Sequence, residues 1–223
     1  MNNFIIEYLN IEIGLICLVE LGFIMMFLKQ FFKEKNGISL CMLLVAVGLF
    51  LDAFLIAIGS VKPEGISENV SRVRFLAHGL LIPLMFPICG YALGFGKKAM
   101  RILWAVTAVI MVIGLAQGFA VKLEPEVLGK TYRHVSSDAT PMWAEKVRRL
   151  LSFGTVIPVI IVGIYTWVKK KNKNIFLAGL LMFVFSAVGP ATGNFDLIFF
   201  FSMIGEVFLC LFFYRFLVGF AKV

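Results

Sequence analysis

The chain has 223 residues, of which 61% are hydrophobic and only 15% charged, and it carries a formal net charge of +8. A soluble domain is usually about 45–50% apolar, so the interior of a soluble fold of this size has no room for so many apolar side chains. The composition therefore excludes an ordinary soluble domain and indicates a membrane protein.

Seven long apolar stretches account for most of the chain. About 20 helical residues are needed to cross a hydrocarbon core of roughly 30 Å, and each stretch is about that long. Helices are expected because a helix satisfies its backbone polar groups within its own segment. We predict an all-α, polytopic membrane protein with one domain, residues 1–223, built as a single bundle of seven transmembrane helices. The predicted spans, in chain order, are Ile11–Phe32, Ile38–Val61, Val73–Phe95, Ile102–Val121, Leu150–Val168, Ile175–Ala191 and Phe195–Leu217.

One connection between the predicted spans is longer than the others. It covers about residues 122–149, between the fourth and fifth spans, and it is polar and long enough to cover one end of the bundle. Thr140 followed by Pro141 is typical of an N-cap and a first helical residue. The fifth helix is therefore predicted to begin at Pro141, outside the membrane, and to run inward.

Positive charge is concentrated at one end of the predicted bundle. Twelve Lys and Arg residues lie in or beside the first, third and fifth connections and near the C-terminus, where Glu34 is the one acidic residue. Cytoplasmic loops are enriched in Lys and Arg, so the pattern predicts a plasma (cytoplasmic) membrane protein with its N-terminus outside and its C-terminus in the cytoplasm. We expect no nucleic-acid partner, since no basic stripe is interleaved with exposed aromatic residues.

Ionisable residues within the predicted spans are the best indicators of a functional site. Such groups cost roughly several kcal/mol in hydrocarbon and usually face a bundle interior or a water-filled cavity. Helix-length arithmetic places Asp52 and His78 in the outer half and Glu20 and Glu206 near the midplane. Arg74 lies four residues before His78, on the same helix face. We therefore predict a polar cavity that opens outward and ends at Glu20 and Glu206.

Other polar residues in the outer half form a secondary set. Each has a structural alternative, because an interfacial Arg often extends its charge into water and a lone Ser often bonds to its own helix backbone. Pro83 and Pro87 are expected to interrupt the third helix, as in many transporter sites. The secondary set consists of Arg72, Gln117, Ser186, Asn194 and Asp196.

Several cofactor-dependent classes are excluded by composition. The chain has only two histidines, His78 and His134, and the seventh predicted span contains no lysine. These counts exclude a three-histidine zinc site, a bis-histidine haem within the membrane and a retinal Schiff base. We expect no cofactor and no metal site, and no residue is assigned as catalytic.

The leading hypothesis is a transporter that binds a small polar or charged solute from outside and moves it, with proton coupling. Asp52, His78 and Glu206 would carry this function, assisted by Arg74 and Glu20. The expected partners are the lipid bilayer and a small polar solute or a lipid head group, and the sequence does not define the oligomeric state.

Two other classes remain open from the sequence. One is a metal-free intramembrane enzyme that modifies lipids, in which His78 is a general base oriented by Asp52, and Arg72 or Arg74 holds a phosphate head group. The other is a receptor-like or structural subunit whose outer loop binds a partner.

Overall fold

The protein is an all-helical bundle in the computed structural model, which describes residues 2–62, 65–193 and 195–220. Seven helices in these ranges are long and apolar enough to cross a membrane, which confirms the predicted fold class. The predicted site residue Asn194 lies outside the described residues. The elements are α1 (Asn2–Glu34), α2 (Gly37–Val61), α3 (Glu68–Leu81), α4 (Met85–Leu93), α5 (Lys97–Ala120), β1 (Leu123–Leu128), β2 (Thr131–Ser136), α6 (Met142–Lys170), α7 (Asn174–Thr192) and α8 (Ile198–Phe220).

The third span is one membrane crossing made of two helices. A 3-10 turn over Ile82–Leu84 joins α3 to α4 and contains Pro83. Proline lacks an N–H group and its ring displaces the preceding carbonyl, so the regular helical hydrogen bonds cannot continue through it. The predicted interruption is confirmed at Pro83, but Pro87 lies in the first turn of α4 and does not interrupt it. The helices α6 and α7 each continue through a proline, Pro158 and Pro190.

Short connections make consecutive helices alternate in direction. Residues 35–36, 94–96 and 171–173 connect helices at one end of the bundle, which carries the lysine-rich segments and is called the basic end. The β1–β2 hairpin and the start of α3 lie at the other end, which is called the hairpin end. Two apolar clusters fill the bundle between these ends.

The larger cluster occupies the half of the bundle nearer the basic end. Its centre includes Phe27, Met42, Ile88, Phe213 and Phe216, all with 1% or less of their surface exposed. Lipid tails are as apolar as these side chains, so close van der Waals packing, and not exclusion of water, holds the helices together here. A smaller cluster joins α1, α2 and α8 near the hairpin end.

Three glycines, one on α3 and two on α5, bring these helices into direct backbone contact. A Cβ atom added to Gly114 would lie 2.2 Å from the carbonyl oxygen of Gly79, and one added to Gly118 would lie 2.9 Å from Leu76. Gly114 and Gly118 have the small-xxx-small spacing that permits close helix packing in membranes. His78 precedes Gly79 in the sequence, and Gln117 precedes Gly118. The contact therefore keeps these two polar residues on closely packed helices.

The long connection forms a β-hairpin, which the sequence did not predict. Leu128 pairs with Thr131, and Gly129 begins the two-residue turn with a φ of +60°, a backbone conformation that favours glycine. A Cβ atom on Gly129 would lie 2.3 Å from the carbonyl oxygen of Ile6, so the turn rests on α1.

The fifth membrane helix begins one residue after the predicted Pro141, and Thr140 does not have the capping role predicted for it. The helix begins at Met142, with Pro141 at the N-cap position. The Thr140 hydroxyl does not cap the helix; it accepts a hydrogen bond from the Lys122 amide at 3.1 Å and so closes the base of the hairpin. The apolar span predicted from hydropathy starts at Leu150, eight residues after the start of the helix. The first two turns of the helix contain four charged residues, so they do not register as part of an apolar span.

Gly114→Ala tests the backbone contact between α3 and α5. The added methyl group overpacks the contact, and overpacking typically costs about 1–3 kcal/mol. We expect a lower free energy of unfolding in detergent, despite the higher helix propensity of alanine. Gly14→Ala is the matched control, since no described atom lies within 4 Å of its added Cβ. Equal stability of the two variants would contradict the contact.

Candidate functional site

A cavity of about 150 Å³ lies in the hairpin half of the bundle, between α2, α3, α5 and α6. Six of the nine residues that line it are polar or charged. Four of its polar residues were predicted from the sequence to belong to a site, and Arg148 was not. The polar lining consists of Asp52, Arg74, His78, Gln117, Arg148 and Ser152.

An ion pair between α2 and α3 forms one wall of this cavity. Arg74 Nε donates to Asp52 Oδ1 at 2.6 Å, and the two side chains are only 10% and 18% exposed. Arg74 NH1 also donates to the His134 carbonyl of strand β2 at 3.4 Å. One guanidinium therefore connects α2, α3 and the hairpin, and it neutralises an acid that would be costly alone in the membrane.

His78 lies one helical turn from Arg74 and lines the same cavity. Asp52, Arg74 and Arg148 are its charged neighbours. Among the described residues, no hydrogen bond joins His78 to Asp52, whose Oδ1 is bonded to Arg74. The imidazole thus stands beside an ion pair and is not oriented by a carboxylate.

Gln117 provides a polar group that the protein itself leaves unsatisfied. The residue is 2% exposed, and its Nε2 has no hydrogen-bond partner in the described part of the chain. Buried polar groups are nearly always paired, with water or a ligand where no protein group is near. Gln117 therefore contributes to the cavity lining a buried polar side chain whose amide donor is not satisfied by the described residues.

Glu20 and Glu206 are buried behind the cavity wall and do not line it. They are 0% and 3% exposed, on α1 and α8. Both oxygens of Glu20 and Oε2 of Glu206 lack hydrogen-bond partners within the described ranges. Glu206 interacts electrostatically with Glu20, Asp52 and Arg74, so it lies within electrostatic range of the ion pair.

The described members of the secondary set, apart from Gln117, do not reach the cavity. Arg72 donates to the Val121 carbonyl at 2.7 Å and pairs with Glu68, so it satisfies the free carbonyl groups at the end of α5. The hydroxyls of Ser186 and Ser202 are 3.3 Å apart and join α7 to α8. Asp196 is exposed at the hairpin end.

The hairpin is fixed to the bundle beside the cavity. The Ser71 hydroxyl and His134 Nδ1 are hydrogen-bonded at 2.8 Å, and the Tyr132 amide donates to Ser60 Oγ at 3.2 Å. Arg133 pairs with Glu126, and its guanidinium lies 3.6 Å from the centre of the Phe199 ring of α8. Strand β2 therefore contacts α2, α3 and α8.

Sequence reasoning missed Arg133 and Arg148 for a common reason. Both lie in the segment assigned to a polar connection, where arginine is ordinary. Arg148 is four residues before Ser152, so the helix start predicted at Pro141 already places the two on one face, but Arg148 was counted with the outer connection and not with the site.

No protein-family model matches this sequence, and a search of curated proteins finds no significant match. Function is therefore inferred from the site.

Asp52→Asn and Arg74→Gln test whether the ion pair stabilises the bundle. Each leaves a charged, largely buried partner unpaired, and we expect a loss of about 2–3 kcal/mol in the free energy of unfolding, measured in detergent micelles. The double variant should recover part of this loss. Glu68→Gln is the control, because its pair with Arg72 is half exposed and worth about 1 kcal/mol at most. Additive losses in the double variant would contradict coupling.

We expect docking of the hairpin to depend on pH through His134. Burial lowers the pKa of His134 below its usual value, Glu68 opposes this shift, and Arg74 adds to it. A released hairpin would take up a proton near pH 6.5, so docking is strongest above about pH 6.5 and weakens as the pH falls below it.

Hydrogen exchange of the hairpin amides measures this effect. After correction for intrinsic rates, we expect less protection at about pH 5.5 than at about pH 7.5. His134→Gln keeps a polar group for Ser71 but cannot titrate, so its protection should not change. Equal protection of the wild-type hairpin at both pH values would overturn the assignment.

Proposed function

We propose that this multi-pass membrane protein binds a small polar solute in the cavity at the hairpin end and moves it across the membrane. The observation that carries the proposal is the convergence of Asp52, Arg74, His78 and Gln117 on one cavity. Charged and polar side chains within a membrane bundle usually mark a solute or ion pathway. A volume of about 150 Å³ is enough for a molecule about the size of benzene.

The chemistry of the lining suits a solute that carries both hydrogen-bond donors and acceptors. Asp52 accepts, Arg74, Arg148 and the Gln117 amide donate, and an imidazole does either according to its protonation. Opposite charges a few ångströms apart match a zwitterion or a small polar molecule better than an apolar one.

Movement of the solute requires the bundle to rearrange. The larger apolar cluster closes the half of the bundle between the cavity and the basic end. The 3-10 turn at Ile82–Leu84 lies between the cavity-lining part of α3 and the part of α4 within that cluster. Interrupted helices are a common feature of transporters, in which one segment moves against another around a fixed site. Bending at this turn is the simplest route by which the site becomes open to the opposite end.

Proton coupling is supported by Glu20 and Glu206. An ionised carboxylate without a hydrogen-bond donor is very costly in an apolar interior, so these surroundings accommodate the neutral, protonated acid. Glu206 lies within electrostatic range of Asp52 and Arg74, which line the cavity. Solute binding that changes the charge of the Asp52–Arg74 pair would therefore change the proton affinity of Glu206.

We further propose that the protein lies in the cytoplasmic membrane with its basic end in the cytoplasm. The support is the excess of Lys and Arg at that end, the usual signal for a cytoplasmic face. The hairpin and the cavity would then face outward. Side-specific thiol labelling of intact cells distinguishes this arrangement from the inverted one.

The site gives less support to the enzyme hypothesis. A general base at His78 would need an orienting partner, but Asp52 is bonded to Arg74. Arg72, the other proposed phosphate ligand, is occupied by carbonyl groups at the end of α5. Transport therefore accounts for more of the observed geometry.

Proteoliposomes loaded with a pH-sensitive dye test the proposal directly. Amino acids, small amines and small carboxylates are added outside, one class at a time. We expect at least one class to change the internal pH in the wild type, with at least a tenfold slower change in Asp52→Asn because the binding site is lost. Glu206→Gln should still bind that solute, measured by calorimetry, but should not move protons.

Asp196→Asn is the matched control, since this acid is exposed and does not line the cavity. It should behave as the wild type. No proton movement with any class, or equal rates in Asp52→Asn and the wild type, would contradict coupled transport.

A further inference from the structure

A second cavity, of about 500 Å³, lies between α4 and α5 at the basic end. It shares no residue with the cavity at the hairpin end. One face of α5 contributes three of its residues, which are four and three positions apart in the sequence: Lys97, Arg101 and Trp104. Because α5 begins at Lys97, the two cations lie in its first two turns, and Trp104 is about 10 Å beyond Lys97 along the helix.

The aromatic wall of this cavity is held in place by its neighbours. Trp104 Nε1 donates to the Tyr91 hydroxyl at 3.4 Å. A Cβ atom added to Gly37, the first residue of α2, would lie 2.3 Å from that hydroxyl, so Tyr91 rests against the α2 backbone. Gly90 similarly brings α4 close to Leu103 of α5. The result is an amphipathic wall at the basic end, in which Lys97 and Arg101 carry the charge and Trp104 is the aromatic residue furthest along α5.

We propose that this cavity binds an anionic phospholipid. The lipid phosphate pairs with Lys97 and Arg101, and the upper acyl chain lies along Met100 and Trp104. Basic pockets between transmembrane helices bind anionic head groups, and Trp and Tyr side chains favour the head-group level. None of the acidic residues that the structure describes lines the cavity.

The shape of the wall favours a lipid over a free phosphate ion. Inorganic phosphate would satisfy the two cations but would leave Trp104, Met100 and Phe95 uncovered. A phospholipid covers both parts, because its phosphate reaches Lys97 and Arg101 while its acyl chain runs from the head group along Met100 and Trp104.

The test is fluorescence quenching of Trp104 by lipids brominated on their acyl chains. The protein carries Trp143→Phe and Trp167→Phe, so that Trp104 is its only tryptophan. It is reconstituted into phosphatidylcholine that contains increasing fractions of brominated phosphatidylglycerol or, separately, brominated phosphatidylcholine. We expect half-maximal quenching at a fraction of brominated phosphatidylglycerol at least tenfold lower than for brominated phosphatidylcholine.

Charge variants separate a binding site from general attraction to the basic end. Lys97→Gln with Arg101→Gln should abolish the preference for phosphatidylglycerol, whereas Lys98→Gln, an exposed neighbour outside the cavity, should preserve it. Equal quenching by the two lipids, or a preference that survives the double variant, would overturn the proposal. Both outcomes are independent of whether the protein transports a solute.

Discussion

The ion pair between Asp52 and Arg74 is the interaction on which the site depends. It joins α2 to α3, and the same guanidinium reaches the hairpin through the His134 carbonyl. Each partner alone would be an uncompensated charge within the membrane. Together they permit a polar cavity to exist beside His78 and Gln117, where an apolar core would otherwise form.

Charge is distributed differently in the two halves of the bundle, and this difference underlies the functional proposal. At the hairpin end, acids and bases penetrate the interior, where the acids Glu20 and Glu206 are sealed from solvent beside the cavity. At the basic end, the interior is apolar and the cations lie at the ends of the helices. The first arrangement suits recognition of a solute, and the second suits the surface of an anionic membrane. The α3–α4 crossing contributes to both halves.

The seven membrane helices could be predicted from the sequence because the hydropathy of each span depends only on its own residues and not on its neighbours in the fold. Sequence reasoning also grouped Asp52, Arg74 and His78, since helix direction and rise fix depth without knowledge of packing. It could not choose the partner of Asp52, because that choice depends on the rotation of α2 against α3. Glu20 and Glu206 were expected at the inner end of the cavity from their depth alone. The structure places them behind the lining, because the rotation of α1 and α8, which the sequence does not show, sets the direction of their side chains.

The hairpin and the glycine contact needed information that the sequence does not display. β1 contains Pro125, a residue unusual in strands, and its turn, Gly129–Lys130, is a weaker signal than Asn-Gly or Asp-Gly. Gly114 and Gly118 were not singled out from the sequence, and only the structure shows that Gly79 lies opposite Gly114. Arg148 falls within the helix predicted from Pro141, but only the structure shows that this part of α6 lines the cavity.

The most direct measurement is the reactivity of a cysteine at position 117 toward a small, membrane-impermeant thiol reagent. The four native cysteines are replaced by alanine, and Gln117→Cys is compared with Thr107→Cys, which is equally buried on the same helix but lies ten residues nearer the basic end. If the cavity is hydrated and opens outward, Gln117→Cys reacts in intact cells and Thr107→Cys does not. Failure of Gln117→Cys to react in the folded protein, from either side of the membrane, would contradict a solute-accessible site.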